Sequence, residues 1–251
     1  MRYAFFSYKN QVMYGIISDN TIRGLTGDLF EPIEFGYLSF PLEEVKLLAP
    51  VYPSKVLAVG KNYQDHALEM GGQVPDSPVI FMKPPTAIIG PEETIIYPAA
   101  SKRVDYEGEL AIIIAKEAKN VALEDAHRHI LGYTCANDVT ARDLQTPGSQ
   151  WALCKGFDTF LPLGPIITDE VDPDNITITT RLNGEVKQSS NTSLMKFSPH
   201  YLVSYISSFM TLLPGDVILT GTPGGIGPMR AGDTIEVEIE GIGTLANKVG
   251  M

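Results

Sequence analysis

The residues predict a β-rich α+β fold, with a small amino-terminal β unit (1–52) ahead of a larger domain (53–251). Three observations carry this. Glycine (23) and proline (18) are frequent and cut the chain into short apolar runs, the pattern of many turns between short strands. The end of the chain alternates strictly, with Ile235, Val237 and Ile239 set against Glu236, Glu238 and Glu240, as a strand with one buried face requires. Helical spacing is confined to a few stretches, of which 199–212 is the longest.

At the amino terminus, 3–8, 12–17 and 21–25 read as strands, with Lys9-Asn10-Gln11 and Ser18-Asp19-Asn20 as their turns. The stretch 36–53 reads as one helical turn and a proline-punctuated linker, and the domain boundary falls near Pro50 to Pro53. A strand at 55–59 then leads into a short helix, 63–70, stopped by Gly71 and Gly72. So short a helix is marginal without tertiary support, and it reads equally as a mobile lid or as a packed surface helix. Residues 110–115 are continuously apolar and rich in isoleucine, the clearest buried strand in the chain. Next come a helix at 123–131, a strand from Tyr133 toward Asp138 and a short helix in 140–145. Residues 175–187 form a hairpin on the Asn183-Gly184 turn, and 217–220 is a strand. In 199–212 the stripe Tyr201, Leu202, Tyr205, Ile206 and Phe209 predicts a helix. The final alternating strand pairs back on 243–249.

A formal charge of −11, from 30 acidic and 19 basic residues with no basic run, argues against a nucleic-acid partner. An anionic small substrate is not excluded, because local cations or a metal reverse the field inside one cleft. Cys135 and Cys154 are too few and too far apart for a disulfide framework or a thiolate zinc site, and read as free buried thiols in a reducing compartment. The first sixteen residues are interrupted by Lys9, Asn10 and Gln11, so they read as neither signal peptide nor membrane span. Cytoplasmic residence is expected.

Glu107 and Glu109 are two apart on an apparent strand and share a face, while Gly108 between them permits close approach on the other side. Asp138 ends another strand. Three carboxylates without a neighbouring His or Cys suit a hard ion, Mg²⁺, Mn²⁺ or Ca²⁺, rather than zinc. The same spacing also describes two solvent-facing residues of an edge strand. His66 and Glu69 share a face of the short helix, as a carboxylate–imidazole base does and as a surface pair does. Lys155, in an apolar run, either snorkels out or lines a pocket. Arg142 is suited to a substrate carboxylate, or to a salt bridge with Asp143 or another acid. Lys83 is a further candidate substrate contact. The glycine-rich 219–227 lacks the Lys-Ser/Thr of a phosphate loop and the helix of a dinucleotide site. Thr220, Thr222 and backbone amides there remain available to an anion.

Taken in order, "GKNYQDHALEM", "FMKPPTAIIGP", "DYEGELAIII", "GYTCANDVTARDLQ", "KGFDTFLPLGP" and "LTGTPGGIG" resemble the fumarylacetoacetate hydrolase family, from about Lys55 to the end. The likeness is to its small acylpyruvase, oxaloacetate decarboxylase and hydroxymuconate isomerase members. It implies a mixed β-sandwich roll, Mg²⁺ or Mn²⁺ on Glu107, Glu109 and Asp138, and a homodimer. It further implies a His66–Glu69 dyad on a lid helix, Lys155 near metal and substrate, and Arg142 and Thr222 at the substrate's carboxylate end. The expected reaction is cleavage of a C–C bond in an acylpyruvate-type or 2-oxo dicarboxylic acid, by hydrolysis or decarboxylation through an enolate held at the metal. Alternatives are a 2-hydroxyhepta-2,4-diene-1,7-dioate or 5-carboxymethyl-2-hydroxymuconate isomerase, an oxaloacetate tautomerase, and a non-catalytic metal-stabilised binding protein. The amino-terminal part is only about fifty residues, unlike that of the founding hydrolases, so fumarylacetoacetate itself fits less well as substrate.

Overall fold

The computed structural model describes residues 1–146 and 148–251 and has the β-rich α+β architecture predicted. Its largest sheet has twelve strands. The path across it runs Phe35–Pro41, Thr21–Leu25, Gln11–Ser18, Arg2–Tyr8, Leu161–Thr168, Ile130–Asn137, Gly108–Ile114, Val217–Leu219, Val56–Gly60 and Val79–Lys83. A five-stranded sheet packs against it: Glu185–Asn191, Thr177–Leu182, Thr234–Ile239, Gly243–Gly250 and Thr94–Ile96. Three short strands, Thr140–Ala141, Val104–Tyr106 and Gly227–Met229, make a third sheet.

Gly108–Ile114 explains why its sequence is apolar without a period. Leu110, Ile112 and Ile114 face the core between the two main sheets, and Ala111 and Ile113 face a second core on the other side. A strand covered on both faces carries no polar alternation. Thr234–Ile239 is covered on one face only, and Ile235, Val237 and Ile239 are buried as predicted.

The amino-terminal strands form where expected, with a difference at 35–41. That segment is a strand paired with Thr21–Leu25, and the helical turn shrinks to Leu42–Glu44. Phe35, Tyr37 and Leu38 are exposed on this edge strand, so no buried face imposes an alternation to read. Arg2–Tyr8 pairs with Leu161–Thr168 through Arg2↔Thr168 and Tyr3↔Ile167, so the meander extends the main sheet.

Helix α1, Gln64–Glu69, ends at Gly71 with φ +71. Gly71 N–H donates to Leu68 O and Gly72 N–H to Ala67 O, each at 2.9 Å, the two bonds of a Schellman stop. Helix α2 is the single turn Ala152–Lys155. Helix α3, Pro199–Phe209, starts on Ser198, whose side chain accepts from Tyr201 N–H. Its buried face is Leu202, Val203 and Ile206. Tyr201, Tyr205 and Phe209 instead stack along an outer flank, because aromatic rings also pair with one another outside a core. The predicted helix at 123–131 is a 3₁₀ helix, Leu123–His129, and Ile130 already belongs to the next strand.

Candidate active site

Gly108–Ile114 begins where its antiparallel neighbour Ile130–Asn137 ends. Gly108 pairs with Asn137 and Glu109 with Ala136, and Asp138 N–H donates to Glu107 O at 2.8 Å. Directly opposed residues share a face, so Glu107, Glu109 and Asp138 emerge together at one end of the sheet. Their exposures are 4%, 2% and 1%, which removes the solvent-facing reading, and their oxygens lie within 4.8 Å of one another. Gly108 meets side chains on its other face: a Cβ there would stand 2.1 Å from Thr180 Oγ1 and 3.3 Å from Gln188 Oε1.

Cations surround the triad. Lys155 Nζ donates to Glu107 Oε2 at 2.6 Å and to Asp138 Oδ2 at 2.5 Å, so this lysine faces inward. Arg142 donates to Glu107 Oε1, to Asp105 Oδ2 at 2.9 Å and to Gln145 Oε1 at 2.6 Å. Its acid partners are thus Asp105 and Glu107, while Asp143 accepts from Ser101 Oγ and Lys102 N–H. Lys83 Nζ lies 2.6 Å from Asp138 Oδ1 and donates to Val139 O at 3.1 Å.

The acids of this cluster titrate apart. Burial pushes Glu107 up, but Lys155, Arg142 and His66 together pull it well below the usual carboxylate range. Burial, then Asp138 and Glu107, push Glu109 well above that range. Its one polar contact of note is Gly221 N–H on Oε2, at 2.6 Å. Burial lowers the Lys155 ammonium, and Asp138 and Glu107 more than restore it. An all-oxygen set that includes a Glu109 repelled by two neighbouring carboxylates is one that a hard divalent cation fits.

The triad forms the floor of a cleft of ≈ 430 Å³, whose walls include His66, Met70, Phe81, Trp151 and Thr222. His66, on α1, is buried, and its Nδ1 lies 3.5 Å from Glu69 Oε2. Glu69 accepts from Gly225 N–H at 3.2 Å, tying the helix to the glycine-rich loop. Of the candidate substrate contacts, Lys83 and Thr222 are each held by protein partners. Lys83, 1% exposed, is held against Asp138 and lies outside the cleft lining. Thr222 lines the cleft, but its hydroxyl donates to Gly108 O and accepts from Gln188 Nε2, both at 2.8 Å.

Several supporting residues escape sequence reasoning. Asn137 Oδ1 receives Glu107 N–H at 2.9 Å. Gln188 receives Gly108 N–H at 3.0 Å, and nothing in its hairpin marks it. Asp105 is fully buried between Arg103 and Arg142. Its place two residues before Glu107, in the same alternation, is the one signal that points to it.

Three buried carboxylates gathered at strand ends and ringed by cations under an open cleft have the form of an enzyme active site. The chain belongs to the fumarylacetoacetate hydrolase family. Residues 55–250 match its model, Fumarylacetoacetate (FAA) hydrolase C-terminal, and residues 1–50 match the model Rv2993c-like, N-terminal. A Bos taurus relative named oxaloacetate tautomerase FAHD2A, mitochondrial, is 48% identical over 222 residues, 83% of this chain and 71% of that protein. The structure of a 5-carboxymethyl-2-hydroxymuconate delta-isomerase from Mycobacterium smegmatis is 46% identical, with a TM-score of 0.94 over 100% of this chain and 99% of that one. A maleylpyruvate hydrolase from Sphingobium sp. SYK-6, solved in complex with manganese (II) ion and pyruvate, is 30% identical, with a TM-score of 0.83 over 100% and 99%.

Proposed function

We propose that the protein is a divalent-metal-dependent tautomerase or isomerase of small 2-oxo dicarboxylic acids, moving a proton between carbon and oxygen of an enolisable centre. The charge balance of the cleft floor carries this reading. The cluster Glu107, Glu109 and Asp138 is contacted by three cations, Lys83, Arg142 and Lys155. A divalent ion on Glu107, Glu109 and Asp138 adds two positive charges, which a dianionic acid balances. The all-oxygen donors favour Mg²⁺, with Mn²⁺ second.

When bound, the metal supplies Lewis-acid stabilisation of negative charge on the substrate's C2 oxygen. His66 takes the proton from the carbon beside the carbonyl and returns it at the other end of the enolate, and Glu69, 3.5 Å from Nδ1, offsets the positive charge that the ring gains. Lys155 and Arg142 place positive charge where the enolate develops. Phe81 and Trp151, with ring centroids 4.9 Å apart edge to face, give the cleft an apolar wall.

The names of the bovine and mycobacterial relatives support isomerisation over the hydrolysis and decarboxylation first expected. Hydrolysis of an acylpyruvate is the second reading, favoured by the His66–Glu69 pair beside an open cleft and by the name of the Sphingobium neighbour. The test is a Mg²⁺-dependent panel of oxaloacetate enol–keto exchange, a hydroxymuconate-type acid and acetylpyruvate, with CO₂ release measured on oxaloacetate. Chelation and Glu109→Ala are each expected to abolish turnover, and His66→Ala to slow proton transfer by about 10²–10⁴-fold. Full turnover without metal sinks the reading. Mg²⁺ binding with no turnover of any acid leaves the non-catalytic binding module. A homodimer and cytoplasmic residence belong to the same proposal, checked by sedimentation and by cell fractionation; no helix of the described chain is long and apolar enough to cross a membrane.

A further inference from the structure

Lys61 stands where strand Val56–Gly60 turns into α1, with φ +58. A left-handed backbone is unfavourable for any residue with a Cβ, and such strain persists where surrounding contacts over-determine it. Here the clamp is Asn62. Its side chain donates to Phe197 O at 2.9 Å and to Thr220 O at 2.8 Å, and accepts from Phe197 N–H at 2.8 Å. On the other side Gly60 lies against the Trp151 ring, 3.0 Å from where a Cβ would project. Among the described residues with positive φ and a side chain, Lys61 is the one in the cleft wall.

The other cations of the cleft are committed. Lys155 and Arg142 are bonded to the carboxylates of the floor, and His66 stands beside Glu69. Lys61 makes no ion pair or hydrogen bond among the described residues. Its ammonium lies beside Gly72, 3.3 Å from where a Cβ there would stand, which is the carboxy-terminal edge of α1. Lys61 is half-buried while the floor is buried, so it marks the mouth of the cleft, away from the metal carboxylates.

Resting on the reading of the cleft as a 2-oxo acid site, we propose that Lys61 determines specificity by receiving the distal carboxylate of a dicarboxylic substrate. Trp151 forms the wall beside its corner. The strained corner fixes the direction in which the Lys61 side chain leaves the backbone, toward the cleft that it lines.

Trp151 is the chain's single tryptophan and lines the cleft, so its fluorescence reports occupancy without turnover. The probes are pyruvate and 2-oxoglutarate, with Mg²⁺ present. They share the 2-oxo acid end and differ in the distal carboxylate. Lys61→Ala is expected to weaken 2-oxoglutarate by about ten-fold or more while pyruvate moves less than about two-fold, the worth of a charge-assisted contact. Lys61→Arg should keep the preference. Equal weakening of both acids in Lys61→Ala overturns the assignment while leaving the site reading intact. A native protein that binds neither acid overturns both. Lys61→Gly should match Lys61→Ala in binding and melt about 2–4 °C above it, as relief of left-handed strain requires. A glycine variant melting below the alanine variant overturns the claim that the corner is strained for its side chain.

Discussion

At the residue scale the site depends on Gly108. Glu107 and Glu109 share a face because one residue lies between them, and Thr180 and Gln188 crowd the place that a Cβ of that residue would occupy. Gly108→Ala is expected to destabilise the fold by about 1–3 kcal/mol through overpacking and to weaken metal binding, read by denaturant melts and by calorimetric titration. Thr180 Oγ1 has no hydrogen-bond partner, so Thr180→Ala removes the obstacle at little loss. The pair of substitutions should therefore recover most of the stability that Gly108→Ala loses, and simple addition of the two effects would count against the account. The glycine's purpose was half legible: the sequence shows that something approaches it, and only the packed hairpin shows that it is Thr180 and Gln188.

At the element scale the weak part is α1. Six residues do not sustain a helix in isolation, and what holds α1 is its two ends. Gly71 and Gly72 close one end. Asn62 anchors the other to the backbone at Phe197 and Thr220. Asn62→Ala strands buried donors and acceptors at about 1–3 kcal/mol each. It should lower stability by roughly 3 kcal/mol on that scale and speed hydrogen exchange across 64–70. Unchanged exchange there would show that α1 is held by other contacts. The helix, its stop and the His66–Glu69 spacing are all readable from local residues. Its anchor is not, because Phe197 and Thr220 lie 135 and 158 residues from Asn62.

At the scale of the whole molecule, the carboxylate cluster makes stability depend on the cation. Burial and two neighbouring carboxylates hold Glu109 well above the ordinary carboxylate range, a repulsion that the bound ion removes. A ligand that binds only the folded state at 100 times its Kd adds about 2.7 kcal/mol, so chelation should lower the melting temperature by roughly 5–11 °C in a chain of this size. Glu109→Ala should melt at the same temperature with and without Mg²⁺. A native melting point indifferent to both metal and chelator would refute the cation site. The same balance connects distant sheets: the charged row from Arg103 through Asp105, Arg142, Glu107, Lys155 and Asp138 to Lys83 alternates in sign, and removing Asp138 leaves Lys83, at the buried end of the row, without a carboxylate partner.

The amino-acid sequence by itself determined the local structure: the two-sided apolar strand at Gly108–Ile114, the alternation of Thr234–Ile239, the glycine stop of α1 and the hairpin at Asn183-Gly184. These depend on side-chain period and backbone freedom, which act over a few residues. It also singled out Glu107, Glu109 and Asp138 as residue types suited to a hard ion, and the motif order pointed to the family. Only the tertiary structure decided that the three acids are buried together, that Lys155 turns inward, that Lys83 is buried against Asp138, and that Lys61, among the described residues, is the cleft cation without an ion pair. The reason is register. Glu107 meets Asp138 because two strands pair with Gly108 opposite Asn137, and no local pattern records which strand will lie beside which.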